Sequence, residues 1–254
     1  MVNDLEWLNT QFDQHGVLVS AYVLANGISH ERIQTLIAEG HLHRLSISLY
    51  AKRPGKIRWP SIINAIQNQQ AIPVRLSGMT SLKVHRVIKE KVEEAEKVQL
   101  VSNQFEKLPK WAHEQNVSLV NKVSRIFKKV PDAFISSVNV EGMSLKASCP
   151  ELALLEHLEQ VTDETRFAAA LTLMKQIQTL DVELMKALLA DSLSEKANRL
   201  FLHMAQQCSK HTDIEWPKAF SPDCISLSEE VITVIQDGIV DKQHRITVPA
   251  FYPA

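Results

Sequence analysis

The chain has 254 residues, and its 28 Lys and Arg against 29 Asp and Glu give a formal net charge of −1. Its 45% hydrophobic and 22% charged fractions are ordinary for a soluble globular protein, which excludes collagen-like, disulfide-rich and wholly disordered chains. The sequence contains no run of about 18 apolar residues, so no transmembrane helix is predicted. The acidic N-terminus lacks the pattern of a secretory signal. Three well-separated cysteines, Cys149, Cys208 and Cys224, are typical of the reduced cytoplasm. We therefore expect a cytoplasmic protein of about two domains.

The charges are unevenly distributed along the chain. Met1–Glu39 contains one basic and five acidic residues, whereas Gly40–Lys89 contains nine basic residues and no Asp or Glu. The nine are Arg44, Lys52, Arg53, Lys56, Arg58, Arg75, Lys83, Arg86 and Lys89. Such a stretch builds a positive surface field and predicts a polyanionic partner, nucleic acid first. The alternative is a solvated basic face that pairs with acids elsewhere in the fold.

The first elements are predicted in the order of a winged helix-turn-helix. Leu5, Leu8 and Phe12 recur at helical spacing before Gly16. The elements predicted next are an extended Val17–Val19, a helix Ser20–Ala25 capped by Ser20, a helix His30–Glu39 capped by Ser29, and a hairpin of Leu42–Leu45 with Leu49–Ala51. Two short helices joined by a tight glycine-containing turn and followed by a hairpin are typical of this motif.

The rest of the chain predicts a mixed set of elements. A helix begins at Pro60 and has Gln67–Gln70 at a solvated end, and a helix over Gly78–Val87 places Lys83 and Arg86 on one face. The other predicted strands are Val74–Leu76, Val98–Val101, Ser118–Val123, Ser136–Val140 and Met143–Ala147, the last two joined at Glu141-Gly142. A capping box, Ser148-x-x-Glu151, opens the helices Glu151–Gln160, Asp163–Gln178, Val182–Asp191 and Ser194–Ser209, with Thr162, Asp181, and Ser192 or Ser194 as caps. A terminal hairpin joins Val231–Gln236 to Arg245–Val248 through Asp237-Gly238.

These elements together predict an α+β fold. Its N-terminal winged helix-turn-helix is followed by a mixed α/β domain with a helical C-terminal part. We place the boundary between residues 1–89, a DNA-binding region with extra helices, and residues 90–254, which contain strands, helices and the terminal hairpin.

Candidate DNA-binding residues follow from the face that the second short helix leaves exposed. Opposite its apolar stripe lie side chains that hydrogen-bond base edges or phosphates, while the hairpin and the segment after it add imidazole and cationic groups. The candidates are Ser29, His30, Arg32, Gln34, Thr35, His43, Arg44, Lys52, Arg53, Lys56 and Arg58. The last four are expected to meet the flanking phosphate backbone. A helix-turn-helix used only for protein interaction is the alternative.

The sequence gives little support to metal or catalytic sites. His203, Cys208, His211 and Cys224 are irregularly spaced for zinc, and His41-x-His43 lacks further ligands nearby. No G-x-S-x-G, P-loop or G-x-G-x-x-G motif occurs. We therefore expect no enzyme activity, no cofactor and no metal.

Several short stretches, in this order, resemble the AbiEi-type antitoxins. They are Gly16-Val17-Leu18, LIAEGHLHRL, SLY, PVRLSGMTSLKVH, LPKW, SLKASCPELALLEHL, NRLFLHMA and DKQHRITVP, which together span most of the chain. This chain has Ser48 where the family usually has glycine in the wing.

The resemblance implies a cytoplasmic antitoxin of a bacterial type IV toxin–antitoxin pair that acts in abortive infection of phage. It implies that the N-terminal winged helix represses its own operon by binding inverted repeats in double-stranded DNA. It further implies that residues 90–254 form the antitoxin domain, which counteracts a nucleotidyltransferase-like toxin without a stable complex. Two alternatives stay open: a stand-alone winged-helix regulator with a ligand-binding or dimerising C-terminal domain, and a nucleic-acid enzyme with a divergent active site.

Overall fold

A computed structural model of the chain describes residues 4–93 and 97–250, apart from the side chain of Pro222. The helices are α1 (Asp4–His15), α2 (Ser20–Ala25), α3 (His30–Ala38), α4 (Trp59–Asn64), α5 (Gly78–Val84), α6 (Lys110–His113), α7 (Pro150–Leu158), α8 (Glu164–Gln176), α9 (Val182–Asp191) and α10 (Glu195–His211). The strands are β1 (Val17–Val19), β2 (His43–Ser46), β3 (Leu49–Ala51), β4 (Arg75–Leu76), β5 (Val98–Ser102), β6 (Leu119–Val123), β7 (Ile135–Val140), β8 (Met143–Ser148), β9 (Ile239–Asp241) and β10 (Ile246–Val248). None of the described helices has the length and apolar character needed to cross a bilayer.

The chain forms two compact units that interleave along the sequence. The first contains Met1–Leu76, Val92–Lys122 and Ser137–Ala147, and the second contains Ser77–Lys91, Val123–Ser136 and Ser148–Ala254. Helices and sheets are mixed along the chain, so the predicted α+β class is confirmed. The functional division predicted between residues 89 and 90 stays a prediction, because compactness alone does not assign an activity to either part.

The first unit begins with an arrangement consistent with the predicted winged helix-turn-helix. β1, β3 and β2 form a three-stranded sheet in that order, and β3 is antiparallel to both neighbours. The helices α1, α2 and α3 bury a small apolar core that includes Leu8, Phe12, Ile33 and Leu36. Burial of this core stabilises helices that are individually too short to persist in water.

Local signals set the ends of these short helices. The Ser29 hydroxyl accepts a hydrogen bond from the Arg32 amide at 3.2 Å, which caps α3 as predicted. Gly40 follows the helix with φ +78°, a left-handed conformation that glycine adopts without steric cost. The predicted cap Ser20 is wrong: Ser20 is the first residue of α2, and Val19, which has no polar side chain, precedes it.

A five-stranded sheet completes the first unit, in the order β6-β5-β4-β8-β7. β4 is antiparallel to β5 and parallel to β8. The prediction that Gln67 lies at a solvated helix end is wrong, because its side chain is buried. Its amide donates to the carbonyls of Val74 at 3.1 Å and Lys146 at 3.0 Å and accepts from the Lys146 amide at 2.8 Å. The amide therefore joins a π-helical turn, Ala65–Gln69, to β8.

The helices of the second unit surround a larger apolar core. α5 packs against α7, and α10 packs against both α7 and α8. Asp181 and Ser194 cap α9 and α10 as predicted, while Asp163, and not Thr162, caps α8. The predicted capping box at Ser148 is wrong, because the Ser148 hydroxyl donates to the buried Glu156 carboxylate at 3.1 Å.

The terminal hairpin differs from the prediction. β9 and β10 are antiparallel and enclose the turn at residues 242–245, whereas Val231–Gln236 contributes one isolated bridge, between Ile232 and Ile246. Apolar residues occur on both sides of Asp237-Gly238. The alternating apolar pattern therefore did not show whether the hairpin turns there or at residues 242–245.

Candidate nucleic-acid interface

The polar side chains predicted to read DNA lie on the exposed face of α3. Ser29, His30, Gln34 and Thr35 are exposed, whereas Ile33 and Leu36 face the core. The Thr35 hydroxyl donates to the Glu31 carbonyl at 3.0 Å, and the Ser29 hydroxyl caps the helix. The face therefore presents the imidazole of His30 and the amide of Gln34 to solvent near the N-terminal end of the helix.

Arg32 lies on the same helix but is held by two carboxylates. Its Nε lies 3.0 Å from Oδ2 of Asp4, and its Nη1 lies 3.7 Å from Oε2 of Glu39. A phosphate contact by Arg32 would therefore compete with these two ion pairs. No local pattern predicts this pairing, because Asp4 and Arg32 are 28 positions apart in the chain.

The wing places two further candidates in solvent. His43 and Arg44 are exposed on β2, and the Arg44 guanidinium lies 6.0 Å from the centroid of the Tyr50 ring. The turn between β2 and β3 exposes Ile47 by 88%. Ser48, the residue that replaces the usual glycine, does not have a positive φ, and its carbonyl accepts from the Ser20 amide at 2.9 Å. The serine therefore fits the wing without left-handed strain.

The segment after the wing carries four exposed cations, Lys52, Arg53, Lys56 and Arg58. Lys52 Nζ lies 3.6 Å from Oδ1 of Asp13, and the Arg58 guanidinium pairs with the Glu141 carboxylate. All four cations line one cleft of about 290 Å³ within the first unit. They thus form a concave positive surface, which we call the basic cleft.

Not every basic residue of the acid-free stretch is at the surface. Arg75 is buried in β4, and Lys83 is buried in α5 with its Nζ 3.4 Å from Oε2 of Glu90. The prediction that Lys83 and Arg86 share a helix face is wrong: Arg86 lies beyond the end of α5 with φ +58°. In the first unit, the exposed cations of this stretch are therefore Arg44 and the four of the basic cleft.

A buried cluster in the second unit was missed from the sequence. Within residues 4–93 and 97–250, one His/Cys/Asp/Glu group has metal-ligand proximity: His203, Asp241 and His244. Both imidazole Nδ1 atoms lie 2.6 Å from Oδ2 of Asp241. Two donors on a tetrahedral zinc ion lie about 3.3 Å apart, so these distances fit hydrogen bonds better than shared ligation. The Asp-x-x-His spacing was the one local signal of this cluster.

Two of the three cysteines are buried. Burial raises the pKa of Cys149 to about 12 and that of Cys208 to about 11. Because the thiolate is the nucleophile and the metal ligand, both thiols are inert at neutral pH. Cys224 is exposed, and it is not part of the His203 cluster.

Comparison with known families identifies the chain. Residues 1–89 match the model for the AbiEi antitoxin N-terminal domain of transcriptional regulators. Residues 95–249 match the model for the transcriptional regulator and AbiEi antitoxin of type IV toxin–antitoxin systems. The chain belongs to the AbiEi antitoxin family. The resemblance found from the sequence is thereby confirmed, and transcriptional regulation and a toxin–antitoxin system are the family's functional setting.

A solved structure shows the same fold as this AbiEi antitoxin. The crystal structure of the RV2827C protein from Mycobacterium tuberculosis is similar over 98% of this chain and 92% of that one, with a TM-score of 0.59 and 11% sequence identity. At this identity the likeness shows the fold alone. No curated protein matches the chain. All the candidate DNA contacts fall in the AbiEi N-terminal region, and as contacts they stay predictions.

Proposed function

We propose that this AbiEi protein is a cytoplasmic DNA-binding autorepressor that also serves as the antitoxin of a nucleotidyltransferase-like toxin. Residues 29–58 bind inverted repeats in its own promoter, and residues 90–254 counteract the toxin without forming a stable complex with it. This assignment deepens the family's general description as a transcriptional regulator and antitoxin.

One observation carries the DNA-binding part of the proposal. The exposed polar face of α3 and five exposed cations, Arg44 with the four of the basic cleft, belong to one compact unit. Amides and imidazoles hydrogen-bond base edges, while cations bind phosphates and set the register on the duplex. The unit therefore offers both kinds of contact that sequence-specific DNA binding requires.

The chemistry of the second unit favours a regulator over an enzyme. Its two buried thiols have raised pKa values, and its His203–Asp241–His244 cluster is fully enclosed. A general base must reach the proton that it removes, and an enclosed imidazole does not reach a substrate.

Footprinting on the protein's own promoter tests the DNA-binding part. Each monomer carries one α3, so an inverted repeat should give two protected half-sites about one or two helical turns apart. Gln34→Ala should weaken the footprint, whereas Gln14→Ala, which removes an exposed amide from α1, should leave it unchanged. A single asymmetric protected site, or equal effects of the two variants, would contradict the proposal.

Co-expression with the adjacent gene tests the antitoxin part. If that gene encodes a nucleotidyltransferase-like toxin, its expression alone should arrest growth and the AbiEi chain should restore it. Pull-down of the toxin with the tagged antitoxin should recover none, because neutralisation is proposed to need no stable complex. Growth arrest that the chain does not relieve would contradict this part and leave the DNA-binding part standing.

A further inference from the structure

The basic cleft is a partly open hollow on the first unit. Its walls come from the start of β1, the end of β3, the loop at residues 52–58 and the first turns of α4. Its volume of about 290 Å³ is at the small end of the range for sites that hold low-molecular-weight ligands. A hollow of this size can contact a ligand group from more than one side.

The charge of the cleft points to an anion. Its lining contains Lys52, Arg53, Lys56 and Arg58 and no carboxylate. Two acids stand beside it: Asp13 on Lys52 and Glu141 on Arg58. Arg53 has no ion-pair or hydrogen-bond partner among the residues that the structure describes. The two acids offset part of the positive charge of the cleft, and a bound anion would offset the charge that Arg53 leaves.

A nearly buried serine in the cleft wall is a second feature, besides the cations, that suits a ligand. Ser61 lines the cleft, yet only 6% of the residue is exposed. Over residues 4–93 and 97–250, its hydroxyl has no hydrogen-bond partner. Among the described residues, the Ser61 oxygen is not one of the fully enclosed unpaired polar atoms, so it is open to the cleft and can donate to an acceptor oxygen of a ligand there.

A glycine packs directly against this hydroxyl. Gly16 also lines the cleft and has φ +73°, and a Cβ placed on it would overlap with the Ser61 Oγ. Only glycine therefore leaves the hydroxyl its space. Guanidinium, ammonium and hydroxyl donors line this cleft, and they are the donor types that bind phosphate oxygens.

We propose that the basic cleft is a phosphate-binding site in which Ser61 donates a hydrogen bond and Arg53 supplies the main unpaired charge. The phosphate is either a phosphodiester of the bound DNA or the phosphate of a free phosphorylated small molecule. The proposal deepens the DNA-binding function and rests on it only for the first source.

Calorimetric titration of the full-length protein tests the site with three probes: inorganic phosphate, ATP and a promoter duplex, all at low salt. Ser61→Ala and Arg53→Gln should each weaken binding of whichever of the three probes the cleft holds. The expected loss is about tenfold, which is typical of one charge-assisted hydrogen bond. Lys89→Gln is the matched control, because it removes an exposed cation of the same acid-free stretch outside the cleft lining.

The outcomes separate the two sources and the two proposals. ATP or phosphate binding that Ser61→Ala weakens supports a free phosphorylated ligand, even if no promoter DNA is bound. Weaker binding of the duplex alone supports a DNA phosphodiester. If Ser61→Ala alters none of the three titrations while Gln34→Ala weakens duplex binding, the phosphate site is overturned and the DNA-binding function stands. Circular dichroism of each variant confirms that the chain is folded.

Discussion

Nδ1 of His203 lies 2.6 Å from Oδ2 of Asp241, and this contact joins α10 to β9. The same oxygen accepts from Nδ1 of His244 at 2.6 Å, and the other carboxylate oxygen accepts from the amides of Gln243 and His244. All three side chains of the cluster are fully buried. One carboxylate therefore satisfies four donors and fixes the last hairpin to the helical core.

Asp241→Asn tests the contribution of this carboxylate to stability. The asparagine amide keeps the shape of the carboxylate but has no negative charge. Its NH₂ group would also face N–H donors that now bond to a carboxylate oxygen. We expect the free energy of unfolding to fall by about 3 kcal/mol, the upper end of the cost of leaving buried donors without their acceptor. Urea denaturation at neutral pH measures it, with Asp213→Asn, an exposed aspartate beyond α10, as the control. Equal stability of the two variants would show that the cluster is not a structural link.

The pH dependence of the same contribution follows from the pKa of Asp241. Burial alone would raise this pKa, but hydrogen bonds from His203 and then His244 outweigh burial and hold it well below its usual range. A carboxylate with a lowered folded-state pKa contributes stability that is present above the unfolded value of about 3.9 and lost as the pH falls below it. The difference in stability between wild type and Asp241→Asn should thus shrink as the pH falls below about 4. A difference that grows in acid would contradict it.

Local signals made the winged-helix part of the fold predictable. The apolar spacing of α1, the cap at Ser29, the glycine at Gly40 and the hairpin pattern each act within a few residues. Strand β7, the Glu141-Gly142 turn and β8 were predicted for the same reason: both turn residues have positive φ, as such hairpins require. The exposure of the α3 face followed directly from its apolar stripe.

Interactions between distant residues were not predictable from spacing. The burial of Gln67 depends on β8, which is far from it in sequence, and the Ser148 hydroxyl prefers Glu156 to the helix start it was expected to cap. The His203 cluster unites residues 38 positions apart. In each case a buried polar group found a non-local partner that a sequence pattern does not specify.

Gly16→Ala tests the tight contact beneath the basic cleft. Alanine at φ +73° is strained, and its Cβ would also overlap with the Ser61 hydroxyl. Gly40→Ala is a matched control, because Gly40 has φ +78° and no atom lies near its Cβ position. We expect Gly40→Ala to cost about 1 kcal/mol and Gly16→Ala about 1–3 kcal/mol more, as overpacking does. Urea denaturation measures both, and equal costs would show that Ser61 moves aside freely.

Arg199 offers a second test of how the C-terminal segment is held. Its side chain is fully buried and donates to the carbonyls of Ser228, Glu230 and Arg245 and to the Glu195 carboxylate. Arg199→Met keeps much of the volume but leaves these acceptors unpaired, so we expect a loss of about 3–5 kcal/mol in unfolding free energy.

The control for Arg199 is Lys210→Met, which changes an exposed cation on the same helix. Limited proteolysis should cut the variant within residues 225–245 before the wild type, because that segment loses its anchor. Resistance equal to that of the wild type would contradict the anchoring role.

The salt dependence of promoter binding counts the phosphates that the protein neutralises. With Arg75 and Lys83 buried, five exposed cations of the acid-free stretch remain in the first unit. If all five contact phosphates, at about 0.9 counterions released per phosphate, log affinity should fall against log salt with a slope of about −4.5. Arg53→Gln should reduce the slope by about 1, and Lys89→Gln should not. A wild-type slope near zero would contradict the basic surface as the DNA-binding face.

Replacing Arg44, Arg53 and Lys56 together by Glu separates repression from neutralisation. Three attractive phosphate contacts become repulsive, so promoter binding and autorepression should collapse. All three residues are exposed, and exposed charges contribute under about 1 kcal/mol each, so folding should change little. The charge-conserving triple variant Arg44→Lys, Arg53→Lys, Lys56→Arg should keep binding, which distinguishes charge from side-chain shape.

If residues 90–254 carry the antitoxin activity, the triple Glu variant should still rescue toxin-expressing cells when an unrelated promoter drives it. Growth rescue and promoter binding are measured on the same variant, with circular dichroism as the folding control. A folded variant that fails to rescue would show that the basic surface takes part in neutralisation. In that case the division of the two activities at residue 90 is wrong, because one surface would serve both DNA binding and the response to the toxin.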